Sequence, residues 1–284
     1  MNLTMGLRKA IQFRGDAEAL ICGDVRLSHR AFADRVARLG AALRELGMRD
    51  GDRVAMLAAN GIAYIEFYFG VLWGGGVMVP INSRFALAEM LEQAADCTPT
   101  VLICDRDHRE MAEAVMQTTS SIRAMICVDS DTVSAGVYDY ESLLAATKPC
   151  SDALRSGEDL ACIFYTGGTT GRAKGVMLSH RSLWANVVVT AAVLGFDETM
   201  VSLHAGPLFH LGAGARVYTT GVLGGRHVVL PRFTPADVLA AIARERVTVA
   251  TFVPTMLAMM LELPDLDRYD LSSLQLITYG ASPM

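Results

Sequence analysis

Short apolar runs alternate with longer amphipathic segments along most of the chain. Runs such as 54–57 and 101–104 contain no charged residue, which is typical of strands buried on both faces of a sheet. Between such runs, apolar residues recur at three- and four-residue spacing, as in the segment from Ser28 to Leu46, and this spacing predicts helices. The alternation predicts an α/β fold built on parallel sheets with helices on both faces.

The predicted elements extend from residue 19 to residue 279. A hairpin is predicted at 19–27, and further strands at 54–57, 77–80, 101–104, 124–128, 160–165, 201–204, 227–230, 249–253 and 274–279. Helices are predicted at 28–46, 62–73, 86–95, 108–118, 179–194, 216–223, 235–246 and 254–261. Residues 129–158 are polar and contain Gly136, Pro149 and Gly157, so they are predicted to form a surface connection.

The composition is that of a globular chain. Of 284 residues, 52% are hydrophobic and 19% are charged, which argues against a disordered protein. The net charge of −5 gives no reason to expect binding to nucleic acid or to an acidic membrane. The longest apolar tract, from Leu183 to Phe196, is too short to span a bilayer, and the N-terminus lacks the apolar core of a signal peptide. We therefore expect a soluble, cytoplasmic protein.

The cysteines and histidines show no spacing typical of a metal site. The six cysteines include no Cys-x-x-Cys pair, so neither zinc nor a disulfide framework is expected. Five of the six histidines have no partner at ligand spacing; they are His29, His108, His180, His204 and His227.

The most informative stretch runs from Ile163 to His180. An apolar strand leads into a segment of glycines and hydroxyl residues, and then into Lys174. The segment consists of Thr166, Gly167, Gly168, Thr169, Thr170 and Gly171. Backbone N–H groups of a glycine-rich turn bind anions, threonine hydroxyls can donate to phosphate or face Mg²⁺, and the lysine adds a mobile charge. These features predict a phosphate-binding loop, with a flexible Gly/Thr hairpin as the structural alternative.

This loop is not the common P-loop, because Arg172 and Ala173 separate Gly171 from Lys174. It resembles the signature loop of adenylate-forming enzymes, which include acyl-CoA synthetases, peptide-synthetase adenylation domains and luciferases. Their pattern is Tyr-Thr-Ser-Gly-Thr-Thr-Gly-x-Pro-Lys-Gly. This chain has Gly167 in place of the serine and Ala173 in place of the proline. The changes remove a hydroxyl and some rigidity, but neither removes the lysine charge or the backbone donors.

Two further segments resemble parts of the same family. Pro207-Leu-Phe-His210 resembles a segment whose histidine lies beside the bound acid and AMP, although a lone histidine in an apolar loop is more often structural. Residues 279–283 resemble the family's Gly-Ala-Pro turn, which lies against the adenine and acyl group, although they could form a plain tight turn. Since the signature loop, His210 and Gly280 all follow predicted strands, we expect them to converge at strand carboxyl ends.

The resemblance covers nearly the whole chain, from Ala19 to Met284. It implies the stacked, αβαβα-type parallel sheets of the large N-terminal domain of adenylate-forming enzymes, incomplete here. It also implies two subdomains, roughly 1–158 and 159–284, interleaved in space. The family's later Tyr-Gly-x-Thr-Glu segment, ribose-binding aspartate and C-terminal domain with its catalytic lysine are absent. We therefore expect a fragment that binds nucleotide weakly but does not turn over.

The resemblance implies that the full-length protein is an AMP-forming acyl-CoA synthetase. It would join a carboxylic acid to ATP, release pyrophosphate, and pass the acyl group to coenzyme A. Small residues after His210 and the lack of a charged residue there favour an apolar acid, either fatty or aromatic, and of these two we expect a fatty acid. The implied site consists of His210 as the catalytic residue, Thr169 and Thr170 as residues facing Mg²⁺, and Thr166, Gly167, Gly168, Thr169, Thr170, Gly171, Lys174, Gly280, Ala281 and Ser282 as nucleotide contacts.

Two other functions stay open. One is a non-catalytic nucleotide- or acyl-binding module, which the residues at Gly167 and Ala173 permit. The other is an adenylation domain that loads a carrier-protein thiol. The downstream reading frame discriminates these functions. The missing glutamate, aspartate and lysine would argue against the non-catalytic module, and a carrier domain encoded next in frame would favour the carrier-loading domain. The expected partners are a small carboxylic acid, ATP and CoA, with no nucleic acid and no membrane span, and a homodimer is left open.

Overall fold

The computed structural model of the chain describes residues 1–129, 135–166 and 173–280. The chain divides into two compact units. The first comprises Met1–Thr4, Ala33–Ala59 and Ala63–Ala185, and the second comprises Met5–Phe32, Asn60–Ile62 and Asn186–Met284. Each unit contains one β-sheet, and both sheets are mainly parallel, as the alternating pattern of the sequence predicts.

The strands, in chain order, are β1 (Glu18–Cys22), β2 (Val25–Ser28), β3 (Arg53–Leu57), β4 (Val77–Pro80), β5 (Val101–Asp105), β6 (Ala124–Val128), β7 (Val137–Asp139), β8 (Leu160–Thr166), β9 (Lys174–Ser179), β10 (Val201–His204), β11 (Arg226–Val229), β12 (Val249–Phe252) and β13 (Leu276–Tyr279). The helices are α1 (Met5–Arg14), α2 (His29–Glu45), α3 (Ile62–Trp73), α4 (Leu87–Cys97), α5 (Arg109–Thr118), α6 (Tyr140–Ala146), α7 (His180–Leu194), α8 (Leu211–Leu223), α9 (Pro235–Glu245) and α10 (Pro254–Leu261). Two 3₁₀ turns lie at Arg106–His108 and Leu266–Arg268.

The first unit contains a seven-stranded sheet in the order β7-β6-β5-β3-β4-β8-β9. Its strands pair in parallel except for β8 and β9, which form an antiparallel hairpin at one edge. Helix α3 is buried from Ala63 to Trp73 and therefore carries Glu66 into the core. Arg35 and the Tyr140 hydroxyl donate to the Glu66 carboxylate at 2.5 and 2.7 Å, which compensates for burying its charge.

The second unit contains a six-stranded sheet in the order β13-β12-β10-β11-β1-β2. Only β1 and β2 pair antiparallel, so the predicted N-terminal hairpin extends a sheet whose other strands come much later in the chain. One sheet face packs against an apolar cluster that includes Val238 of α9 and Met256 of α10. The opposite face carries the alternate side chains of β10 and β11. They include three buried polar residues: Ser202, His204 and His227.

Three segments differ from the sequence-based prediction. Residues 5–14 form α1, for which the sequence predicts no helix. Only three of its residues are buried, so its apolar pattern is weak. One of them, Gly6, lies so close to the backbone of Gly221 and Val222 that a Cβ there would overlap it. Within 129–158, β7 and α6 replace part of the predicted surface connection.

The third difference is that α8 begins at Leu211 and not at Arg216. Glycines at 212 and 214 weaken the local preference for a helix. Packing outweighs this weak preference, since Gly214 and most of the following helix are buried. In the ranges that the structure describes, none of the helices is long and apolar enough to cross a membrane.

Candidate functional site

Three predicted site segments follow the carboxyl ends of parallel strands. Thr166 ends β8 in the first unit, where β8 pairs in parallel with β4. In the second unit, the loop 205–210 follows β10, and Gly280 follows β13. Strands β10 and β13 both pair in parallel with β12, so their carboxyl ends lie at the same edge of the six-stranded sheet. This is the edge at which open α/β sheets bind ligands.

The β8–β9 hairpin holds the two ends of the predicted phosphate loop. Thr166 and Lys174 pair in its register, and Thr166 Oγ1 lies 3.4 Å from Lys174 O. Both side chains are exposed, and within the described ranges Lys174 makes no ion pair. The predicted loop residues between them lie outside the described part of the chain; they are Gly167, Gly168, Thr169, Thr170 and Gly171. Their phosphate contacts, and the Mg²⁺ contacts of the two threonines, stay predictions.

The hairpin also explains two residues of the signature stretch. Tyr165 pairs with Gly175, and a Cβ on Gly175 would lie 2.8 Å from Ile163 Cγ2 and 3.1 Å from Tyr165 Cζ. The Tyr165 hydroxyl donates to Asp96 Oδ2 at 2.5 Å. Burial and the Asp96 carboxylate raise the pKa of Tyr165 above its usual range, so this phenol stays protonated. Tyr165 and Gly175 therefore stabilise the hairpin that carries Thr166 and Lys174.

Asn60 holds the loop that carries His210, and the sequence did not single it out. Its Nδ2 donates to Gly206 O at 2.9 Å and to Leu230 O at 3.3 Å, and its Oδ1 accepts from Leu208 N at 3.0 Å. One amide side chain thus satisfies backbone groups on both sides of Pro207. No local pattern could indicate this role, because Asn60 lies 148 residues from Leu208.

His210 is exposed at the N-terminus of α8, where it is the N-cap residue with extended backbone and no side-chain capping bond. Its carbonyl accepts hydrogen bonds from Ala213 N and Gly214 N. The ring centroids of Phe209 and His210 are 4.5 Å apart at an interplanar angle of 61°, and the buried Phe209 anchors the loop. A Cβ on Gly212 would meet no atom within 4 Å, so there is open space beside the histidine. This placement suits a residue that contacts a substrate.

Gly280 follows Tyr279 at the carboxyl end of β13, in register with the end of β12. A Cβ on Gly280 would also meet no atom of the described residues within 4 Å, so a ligand could approach the backbone closely here. Ala281 and Ser282, predicted to form the same turn, lie outside the described residues.

Arg216 is a charged residue of this region that no sequence motif indicates. It lies on α8, and the residue is 8% exposed. In the part of the chain that the structure describes, its Nε and Nη1 have no hydrogen-bond partner, and Nη2 reaches Thr278 Oγ1 only at 3.4 Å. Its Cζ lies 4.6 Å from the ring centroid of Phe196. Burial lowers the pKa of Arg216.

The neighbouring histidines are neutral. His204 Nε2 and His227 Nδ1 are 3.0 Å apart, and the two rings are stacked with centroids at 5.1 Å. Burial lowers the pKa of His204 to about 3, and the charge of Arg216 adds to this effect. In the described ranges, no group of three or more His, Cys, Asp or Glu side chains could hold a metal ion.

Comparison with known proteins assigns the chain to a family. Residues 7–284 match the family model described as AMP-binding enzyme. Over 269 residues the chain is 35% identical to the feruloyl-CoA synthase of an Amycolatopsis species, and the alignment covers 94% of this chain and 52% of the synthase. The chain thus spans about half the length of the curated relatives it matches.

Two solved structures share the fold over the whole chain. The inhibitor-bound N-terminal domain of FACL13 from Mycobacterium tuberculosis has a TM-score of 0.91 and 25% identity, with 100% of this chain and 70% of that chain covered. ATP-bound MatB from Rhodopseudomonas palustris has a TM-score of 0.86 and 26% identity, with 100% and 56% covered.

Proposed function

The chain belongs to the family of AMP-binding enzymes, and we propose that the full-length protein is an ATP-dependent acid–thiol ligase. A carboxylate oxygen of the acid attacks the α-phosphorus of ATP, and the bond to pyrophosphate breaks. The sulfur of coenzyme A then attacks the carbonyl carbon of the acyl-adenylate, and AMP leaves. The 35% identity to a feruloyl-CoA synthase supports this reaction class.

The observation that carries the proposal is the pairing of Thr166 with Lys174 across the mouth of the signature loop. Lys174 is exposed and unpaired within the described ranges, so its ammonium is available to a polyphosphate. Negative charge builds on pyrophosphate as it leaves, and a cation fixed beside it lowers the energy of that transition state. Mg²⁺, which the resemblance assigns to Thr169 and Thr170, would supply further positive charge when bound.

The N-terminal end of α8 is proposed to orient the acid. His210 stands there with open space beside it at Gly212. The first N–H groups of a helix attract anions, so a carboxylate is favoured at this position. Asn60 keeps the preceding loop in place through three hydrogen bonds. Since the chemistry needs no protein nucleophile, positioning and electrostatics supply the catalysis.

The identity of the acid is the open part of the proposal. The expectation of an apolar acid rests partly on the lack of a charged residue after His210. The structure does not meet that premise, because Arg216 is buried on the same helix. We therefore propose a carboxylic acid of fatty or aryl type as the substrate, and we assign no chemical group to the end opposite the reacting carboxylate at this point.

The first experiment is ATP–pyrophosphate exchange by the protein from the full reading frame, against fatty, aryl, dicarboxylic and amino acids. Exchange that depends on one class of acid supports the proposal and identifies the substrate. Thioester formation with CoA, compared with transfer to a carrier protein, then identifies the thiol. ATP binding without exchange for any acid would refute the ligase and favour a non-catalytic nucleotide-binding module.

The 284-residue chain alone is proposed to bind nucleotide without turnover, because it spans only about half of its relatives. Carboxylate-dependent AMP production by this chain would refute that part of the proposal.

A further inference from the structure

Arg216 presents an unusual electrostatic situation. The residue is only 8% exposed, yet among the described residues its Nε and Nη1 have no hydrogen-bond partner. In the ranges that the structure describes, no acidic side chain forms an ion pair with it. A buried charge without a partner is costly, and this cost is normally compensated by an anion.

The surroundings of the guanidinium offer only weak compensation. Phe196 provides a cation–π contact at 4.6 Å, which stabilises a cation less than an ion pair does. Thr278 Oγ1 is 3.4 Å from Nη2, and Thr278 and Thr251 share a hydroxyl–hydroxyl contact of 2.8 Å. These two hydroxyls and the guanidinium could all donate to one acceptor. The group of Arg216, Thr251 and Thr278 therefore has the donors that a carboxylate site requires.

This group lies between the two elements proposed to contact the substrate in the second unit. Arg216 is six residues after His210 on the same helix, a rise of about 9 Å at 1.5 Å per residue. Thr278 lies two residues before Gly280 on β13. The guanidinium thus bridges α8 to β13 behind the edge where the acid is proposed to react.

We propose that Arg216 binds a second carboxylate at the far end of the acid substrate, so that the enzyme activates one end of a dicarboxylic acid. The inference rests on the proposed ligase function and specifies its substrate class. Thr251 and Thr278 assist as hydroxyl donors, and Phe196 holds the guanidinium plane. An apolar acid of the same length would leave the buried charge uncompensated and would bind less well.

The test compares each straight-chain or aromatic dicarboxylic acid with its monomethyl ester in ATP–pyrophosphate exchange. The full-length protein is measured as wild type, Arg216→Met and Arg216→Lys. Methionine keeps much of the unbranched stem but removes the charge, whereas lysine keeps the charge. Arg268→Met is the matched control, since the Arg268 side chain is 81% exposed.

The wild type is expected to prefer the diacid. Arg216→Met should lower kcat/KM for the diacid roughly 100-fold and raise it for the ester, since one member of a buried charge pair is lost. Arg216→Lys should keep part of the preference, and Arg268→Met should keep all of it. A diacid-to-ester ratio that is the same in wild type and Arg216→Met would overturn the inference and leave the ligase function standing. No exchange with any acid would overturn both.

A second measurement compares two ligands on the wild-type protein, so its outcome does not depend on whether a variant folds. Thermal unfolding of the wild type is followed with ATP plus either the diacid or the ester. The diacid should raise Tm further than the ester, because only the diacid compensates the buried charge. An equal rise would overturn the inference. Without ligand, Arg216→Met should have a Tm at least as high as the wild type. If the arginine had a purely structural role, its replacement would lower the Tm.

Discussion

Asn60 Oδ1 accepts a hydrogen bond of 3.0 Å from Leu208 N, across 148 residues of sequence. Two further bonds from its Nδ2 reach Gly206 O and Leu230 O. The loop that carries His210 therefore owes its position to a side chain from a distant turn.

Asn60→Ala is expected to destabilise the fold by about 1–3 kcal/mol, since three backbone groups lose their partner. It should also raise KM for the acid, because the His210 loop is released. Denaturant unfolding and exchange kinetics measure the two effects. Asn82→Ala is the control, since Asn82 Oδ1 accepts only a local bond from Arg84 N. Equal effects of the two substitutions would contradict the role given to Asn60.

Lys174→Met should slow ATP–pyrophosphate exchange about 10²- to 10³-fold, because a fixed cation beside the leaving pyrophosphate is lost. The folded state should be little affected, since Lys174 is exposed and makes no ion pair in the described part of the chain. Lys148→Met is the matched control at another exposed lysine and should leave exchange unchanged. A Lys174→Met enzyme with full exchange would refute the phosphate role of this residue.

Gly175→Ala should destabilise the β8–β9 hairpin by roughly 1–3 kcal/mol through overpacking. The new Cβ would lie 2.8 Å from Ile163 Cγ2 and 3.1 Å from Tyr165 Cζ. Gly61→Ala serves as the control, since a Cβ there would meet no atom within 4 Å. Thermal unfolding compares them, and the prediction fails if both variants melt at the wild-type temperature.

His180 should make stability depend on pH. Burial lowers its pKa from 6.5 to about 4, and neither ring nitrogen has a hydrogen-bond partner. Because the unfolded chain takes up the proton first, the contribution of His180 is complete above about pH 6.5 and is lost as the pH falls towards 4. Between these values, His180→Leu should reduce the slope of the unfolding free energy by about 1.4 kcal/mol per pH unit. Urea unfolding at several pH values measures this slope, and an unchanged slope would show that the histidine does not stay neutral in the fold.

Much of the architecture can be predicted from local sequence. The strands 54–57, 77–80 and 124–128 match β3, β4 and β6, because short apolar runs can only be buried strands in this context. The signature stretch also predicts a strand at 160–165, which matches β8, whereas the return strand β9 corresponds to the hairpin that was given as the structural alternative. Family membership follows from the same residues and is confirmed over 7–284.

Other features depend on partners far away in the chain. The start of α8 at Leu211 opposes the local preference of two glycines, and buried packing outweighs that preference. Asn60 and Arg216 have no motif around them, so their roles become visible only when β10, β13 and their loops are assembled.

The sequence by itself determined the alternation of strands and helices and the family, and it predicted a phosphate-binding loop, because these depend on neighbours within a few residues. Only the tertiary structure decided that the hairpin of β1 and β2 extends the second sheet, that Asn60 holds the His210 loop, and that the Arg216 side chain is buried. Burial and hydrogen bonding depend on residues that are distant in the sequence but close in the folded protein, so no single stretch of sequence determines them.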